Sequence, residues 1–196
     1  MRHLTAKDFQ ISTWSGGKTV QLAIAPEGAG YADRDFLWRV SSATVELDES
    51  DFTALPDYNR WICPLAGTMR LSHNGGPAVS LAPCEAHFFD GADATHCRGR
   101  CTDFNLMLRK GRCEGRIFAL TSGGTAAPAE DAELGAEGIK IFYCAQGAVM
   151  VNGLSLQEGS AVWLEEGESG SLRFASPGVA AAAVITVRKG AAGESD

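Results

Sequence analysis

Histidine is scarce in this chain of 196 residues: His3, His73, His87 and His96 are the only four, and the last hundred residues contain none. A metal-dependent β-barrel enzyme needs a His-x-His pair and a carboxylate on one hairpin, with a further His on a later strand, facing one ion. Here the corresponding hairpin offers only His73, and the later strands only His87 and His96. A metal oxygenase is therefore disfavoured. No Gly-x-Ser-x-Gly elbow supports a hydrolase. The near match to a phosphate loop, Trp14-Ser-Gly-Gly-Lys-Thr19, lacks the spaced glycines and opens a strand rather than a helix. Excess positive charge is missing too: 17 Lys and Arg against 24 Asp and Glu leave a net charge of −7, which argues against nucleic acid or an anionic membrane as partner. Long apolar runs are absent; Val179 to Val187 reaches about half of the roughly 20 residues a membrane helix needs. The first nine residues, Met1 to Phe9, are too polar for a signal peptide, so a cytoplasmic protein is expected.

What the chain does contain is ordinary globular composition, 45% hydrophobic and 21% charged, which excludes disorder. Its 23 glycines point to many tight turns rather than long helices. Six cysteines (Cys63, Cys84, Cys97, Cys101, Cys113, Cys144) are scattered through strand-like segments and read most simply as free thiols acting as small hydrophobes. Zinc at His96, Cys97, Cys101 and Cys113 is the sharper alternative, but the spacing is not the paired Cys-x-x-Cys of a structural site.

Period-two alternation dominates. Val20, Leu22 and Ile24 alternate with Thr19, Gln21 and Ala23, and Phe36 to Leu47 reads as a longer strand. Arg60 to Leu65 and Thr68 to His73 flank a turn at Ala66-Gly67; further strands are expected over Ala78–Ala82, Ala86–Phe89 and Thr102–Arg109. Thr5 with Asp8 suggests one short N-terminal turn. Residues 121–138 shift to small and acidic side chains and are expected to be a solvated linker between lobes at 1–120 and 139–188, with a tail at 189–196. A faint repeat spans this linker: Ile62-Cys-Pro-Leu-Ala-Gly67 through Gly75 resembles Phe142-Tyr-Cys-Ala-Gln-Gly147 through Gly153. One such unit in each half predicts an all-β chain of two small jelly-roll barrels rather than one sandwich.

Two strands carry polar groups on a defined face. Leu37, Arg39, Ser41, Ala43 and Val45 share one face, with Phe36, Trp38 and Val40 on the other. An arginine there must find a carboxylate, carbonyls or a ligand, because an unpaired buried charge is costly. Asp103, Asn105, Met107 and Arg109 alternate with Phe104, Leu106 and Leu108; the polar set lines a barrel interior if the apolar face packs on a second sheet, and is solvated surface otherwise. Arg60, after the Leu55-Pro-Asp-Tyr58 turn, sits where a barrel rim could grip a carboxylate bidentately, or pairs with Asp57 or Asp51. Gly16 and Gly17 either form a turn anchored by Trp14 or let a ligand approach the backbone closely.

Taken together, Trp14-Ser-Gly-Gly-Lys-Thr19-Val-Gln21, Phe36-Leu-Trp38-Arg39-Val-Ser41-Ser-Ala43, Phe52-Thr-Ala-Leu55-Pro56 with Arg60, Leu65-Ala-Gly67, Phe89-Asp-Gly91 and Asp103-Phe-Asn105-Leu-Met107 resemble the HutD/Ves family of bicupin proteins, over roughly residues 1 to 118. The second half matches only as a generic cupin lobe. Many family members carry a longer Trp-Lys-Asn-Gly-Gly-Gly loop; the asparagine is absent here, so any contact it makes is not carried over. The resemblance implies a double-stranded β-helix bicupin, often a homodimer, with no established catalytic activity. Family members are associated with histidine-utilisation operons, where a governing role through binding an intermediate such as formylglutamate or urocanate has been proposed.

The preferred expectation is a metal-free, cofactor-free binder of a small carboxylate metabolite. Arg39 and Arg60 would contact the anion, Thr19, Gln21 and Ser41 would supply neutral hydrogen bonds, Asp103 and Asn105 would line the hollow, and Trp14 and Trp38 would wall it. The alternative is a metal-independent cupin isomerase or lyase with His73, His87 or Asp103 as general acid or base, which requires two titratable groups converging on one cavity.

Overall fold

The computed structural model describes residues 1–122 and 131–188; part of the expected linker and the expected tail lie outside the described residues. Among the described residues every regular element is a β-strand, in the order β1 (Arg2–Leu4), β2 (Gln10–Trp14), β3 (Gly17–Ala25), β4 (Trp38–Val45), β5 (Glu49–Asp51), β6 (Tyr58–Gly67), β7 (Met69–His73), β8 (Val79–Leu81), β9 (His87–Asp90), β10 (Thr95–Arg98), β11 (Cys101–Arg109), β12 (Cys113–Ser122), β13 (Asp131–Leu134), β14 (Ile139–Gln146), β15 (Ala148–Val151), β16 (Leu154–Gln157), β17 (Ala161–Leu164), β18 (Gly170–Phe174) and β19 (Gly178–Val187). Among the described residues no helix is long and apolar enough to cross a membrane. The Thr5 to Asp8 turn forms, with the Asp8 carboxylate accepting from the backbone N–H and the hydroxyl of Thr5.

The strands build four antiparallel sheets. A six-stranded sheet (β2-β3-β4-β11-β6-β9) and a four-stranded one (β5-β10-β7-β8) make the first jelly roll; a five-stranded sheet (β1-β17-β14-β19-β12) and a four-stranded one (β13-β18-β15-β16) make the second. The repeated hairpins occupy equivalent places. Each has a positive-φ glycine between its long and short strands, Gly67 (φ 81°) and Gly147 (φ 79°), and each ends in a left-handed Asn-Gly pair, Asn74-Gly75 and Asn152-Gly153. Asparagine and glycine are the residues that tolerate two successive positive φ values, so both pairs suit a type I′ turn.

The two larger sheets lie back to back. Trp38, Val40, Phe104, Leu106 and Leu108 from the first lobe share one core with Ile117, Ile141, Ala181, Ala183 and Ile185 from the second. Alternation along β19 explains its unbroken apolar run: Ala181 and Ala183 face this shared core while Ala180 and Ala182 face the interior of the second barrel. A strand covered on both faces has no polar side to show.

Two boundaries differ from the expected ones. The segment 121–138 is not all solvated connection: Thr121 and Ser122 pair with Val179 and Gly178 at the end of β12, and β13 pairs with β18. Ala132 and Leu134 of β13 pack against the second core, and that burial outweighs the acidic neighbours. Nor do the lobes divide at residue 120. Strand β1 pairs with β17, and all of β12 pairs with β19, so the first and last parts of the expected amino-terminal lobe complete the other lobe's sheet.

Candidate functional site

The interiors of the two barrels differ. The second is filled by Phe142, Val149, Val151, Leu156, Val162, Leu164 and Leu172. Gly170 makes room for the Phe142 ring, since a Cβ there would lie 2.6 Å from a ring carbon. The first barrel is filled at one end by Ile62, Met69, Leu71, Leu81, Phe89 and Cys97, and at the other it keeps a cavity of about 410 Å3. That volume lies within the usual range for small-molecule sites.

Three neighbouring strands supply the polar floor. In β4, β11 and β6 every second residue points inward, so Arg39 and Ser41, then Asp103, Asn105 and Met107, then Arg60 face the cavity. Phe104, Leu106 and Leu108 are claimed by the shared core, which turns the polar set of β11 inward. Arg39 and Arg60 both stand in register with Met107, from opposite sides.

The two guanidiniums are held differently. Arg39 donates from Nε to Gln21 Oε1 (2.7 Å) and from Nη1 to Ser41 Oγ (3.1 Å), and lies over the Tyr31 ring at 4.6 Å. Arg60 is only 5% exposed, its guanidinium lies against both the Phe52 ring (4.9 Å) and the Phe89 ring (5.0 Å), which themselves touch at 6.2 Å between centroids, and its Nε has no hydrogen-bond partner. Asp51, one of the acids expected to pair with it, instead accepts from His96 at 2.8 Å. Burial pulls both arginines down to about 10, which leaves them charged at neutral pH. Burial also pushes Asp103 up to about 7, against the opposing pull of Arg60, the Ala43 backbone N–H and Arg39. The Oδ1 atoms of Asp103 and Asn105 are buried without a donor.

Of the residues singled out from sequence, Trp14, Thr19, Arg39, Ser41, Arg60, Asp103 and Asn105 line this cavity. Gln21 stands behind Arg39 and orients it; its own amide reaches Gln10 at 3.3 Å. Trp38 is elsewhere. It is fully buried on the opposite face of β4, against Trp163 (4.8 Å between ring centroids), because its odd-even position is the one the shared core takes. Gly17 has φ +150°, and a Cβ there would lie 1.9 Å from Thr44 O, so its close approach is to the neighbouring strand and not to a ligand. A Cβ on Gly16 would meet the Trp14 ring.

Arg109 lies outside the cavity, donating from Nε to Phe36 O (3.0 Å) and from Nη2 to Tyr58 Oη (2.7 Å). His73 and His87 lie behind Phe89 and bond to each other, Nε2 to Nε2, at 3.0 Å, with His73 Nδ1 on Thr95 Oγ1. They do not converge with Asp103 on the cavity. The zinc alternative is not assembled either: His96 faces outward on Asp51, Cys97 and Cys101 belong to the first barrel's core, and Cys113 to the shared one. Among the described residues no three His, Cys, Asp or Glu side chains are grouped to hold a metal ion, so the donor set does not fit one.

Tyr31 and Phe52 were not among the candidates read from sequence, and Asp51 was read only as a partner for Arg60. Met107 was legible by its place in the alternation of β11. Tyr31 comes from an irregular segment and Phe52 directly follows a three-residue strand, where no periodicity signals direction.

The chain resembles three proteins that bear on this geometry. Protein Ves of Cronobacter sakazakii is 25% identical over 174 residues, 85% of this chain and 88% of that protein. HutD from Pseudomonas fluorescens SBW25, solved in a formate condition, superposes with a TM-score of 0.77 at 21% identity over 96% of this chain and 99% of that one. A bacterial pirin from Escherichia coli, solved in complex with nickel(II), superposes with a TM-score of 0.63 at 9% identity over 93% and 97% of the two chains, a likeness of cupin fold alone. The HutD family model matches residues 6–182, nearly the whole described fold. With that match, and with the cupin architecture around it, this chain belongs to the HutD family.

Proposed function

We propose that the protein binds a small carboxylate metabolite in the open end of its first barrel and performs no chemistry on it. The observation that carries this reading is Arg60: a residue only 5% exposed, its guanidinium against the faces of two touching aromatic rings, with no hydrogen-bond partner at Nε. A buried cation left unpaired costs several kcal/mol, and an anion from outside is the partner that removes the cost. The fork of an arginine matches a carboxylate in charge and geometry. Arg39, already oriented by Gln21 and Ser41, adds a second positive charge, and Thr19 and Trp14 border the opening.

Family membership supports a ligand like formylglutamate or urocanate, a governing role in histidine utilisation, and a cytoplasmic homodimer; these are part of the same proposal. The isomerase or lyase reading needs His73 or His87 to converge with Asp103, and the two histidines are bonded to each other behind Phe89, away from the cavity; Asp51, which does line it, is exposed at the rim and accepts from His96.

Thermal-shift and calorimetric titration with histidine-pathway acids test the reading. At least one should raise the melting temperature, and Arg60→Met should weaken that acid at least a hundredfold. If none binds, or if Arg60→Met leaves the affinity of whatever does bind unchanged, the carboxylate reading is wrong.

A further inference from the structure

The outer face of the small sheet β5-β10-β7-β8 holds a second cavity, of about 260 Å3, lined by Arg70, Ser72, Gly76, Ala78, His96 and Arg98. None of these residues lines the first cavity. Alternation produces the set. Met69 and Leu71 on β7 and Cys97 on β10 are taken by the first barrel's core, so Arg70, Ser72, His96 and Arg98 turn outward. Gly76 and Ala78, from the connection between β7 and β8, wall the hollow without long side chains.

Two cations face each other here. Arg70 stands directly opposite Arg98, which puts their Cβ atoms about 5 Å apart, and like charges so placed repel. The compensating charge lies on one side only. On β5, Glu49 Oε2 is 3.3 Å from Arg98 Nε and 3.6 Å from His96 Nε2, and Asp51 Oδ1 is 2.8 Å from His96 Nδ1. Those carboxylates stand two strand spacings from β7, about 9.5 Å, and on its other side Arg70 meets only Ser80. Among the described residues Arg70 has no ion pair, and no carboxylate lines the cavity. Arg70, Arg98, Glu49 and Asp51 sum to zero, but the negative half sits wholly on β5 and the hollow is lined by the positive half. The Glu49–Arg98 contact is exposed on both sides and holds Arg98 weakly.

We infer that this face is a second anion site and that its ligand is a phosphate group, free or as a monoester. A carboxylate has two oxygens, which one guanidinium fork satisfies. Two forks on adjacent strands, with the Ser72 hydroxyl beside them, offer more donors than that and suit the three terminal oxygens of a phosphate monoester. The charge of such a group, about −1.5 to −2 at neutral pH, turns the Arg70–Arg98 repulsion into attraction from both sides. The inference does not depend on the carboxylate reading of the first barrel, with which this site shares no lining residue.

Titration of the 15N-labelled full chain at pH 7.5 and constant ionic strength tests it, with sodium phosphate, glycerol 3-phosphate and succinate as probes. The backbone amides of Arg70 to Ala78 and His96 to Arg98 should shift and saturate with a Kd below about 1 mM for at least one phosphate probe, and at least tenfold more weakly for succinate. Equal affinity for the two phosphate probes identifies free phosphate as sufficient; tighter binding of glycerol 3-phosphate identifies a monoester. Arg70→Gln, at an exposed position, should weaken binding at least tenfold. Arg100→Gln removes a neighbouring cation that is paired with Asp48 outside the cavity, and should change affinity less than twofold. No saturable shift below that Kd, succinate binding as tightly as phosphate, or Arg100→Gln weakening binding as much as Arg70→Gln each overturns the inference.

Discussion

At Asp103 two effects on a carboxylate's charge oppose each other. Burial favours the neutral acid, Arg60 and Arg39 favour the anion, and burial wins by enough to bring the group up to about 7. Its folded value therefore lies above its unfolded one. Between roughly pH 4 and pH 7 the native state holds a proton that the unfolded chain has lost, so this residue's contribution makes stability fall as pH rises through that window. His87 acts with the opposite sign: burial and His73 hold it below its ordinary value, so its contribution rises with pH over part of the same range. The difference between the wild-type and Asp103→Asn melting curves isolates Asp103. The variant's advantage should be absent at pH 4, grow toward pH 7 and level off above it; a pH-independent difference would refute the assignment. Arg60→Met should separate stability from binding. Removing a desolvated cation, with Asp103 able to take up a proton in its absence, is expected to leave the ligand-free protein about as stable as before, as read by the urea midpoint, while ligand binding is lost.

The elements explain why some residues were legible and others were not. On β4 and β11 the alternation itself put Arg39 and Ser41 on one face and Asp103 and Asn105 on another, but it left open which face was inside. The packing of Phe104, Leu106 and Leu108 on the second lobe decided that. The same reasoning separates Trp38 from the site. Trp38→Ala should cost about 3–5 kcal/mol through loss of its contact with Trp163, with ligand affinity unchanged within a few-fold. Gly17→Ala should also destabilise, by about 1–3 kcal/mol, because the new Cβ collides with the backbone of β4. A neutral result at Gly17 would mean that β3 can shift away from β4. Short strands were the hardest to read: β5, β10 and β13 have three or four residues each, too few for a period to register.

Across the whole molecule, the shared core makes the two lobes a single cooperative unit. It contains Trp38 and Phe104 from one lobe with Ile141 and Ala183 from the other, and β1 and β12 extend the second lobe's sheet with chain from the first. Thermal unfolding should accordingly show one transition, coincident by tryptophan fluorescence and far-UV circular dichroism; two separated transitions would show that the interface does not couple the barrels. The molecule also divides its labour: one barrel spends its interior on apolar packing, the other keeps part of it open and charged.

Alternation, glycine placement and the repeated Gly67 and Gly147 hairpins were enough, from the amino acids alone, to specify strands, two jelly rolls and the polar set on β4 and β11, because side-chain direction in a strand follows from period two. Which face turned inward, and therefore whether Arg39, Arg60 and Asp103 met in one hollow or pointed to water, was decided by the docking of the two large sheets. So was the exchange of β1 and β12 between lobes. These are contacts between residues distant in the chain, 39 positions apart for Phe104 and Tyr143 and 125 for Trp38 and Trp163, chosen by the area they bury together, and no local pattern carries that information.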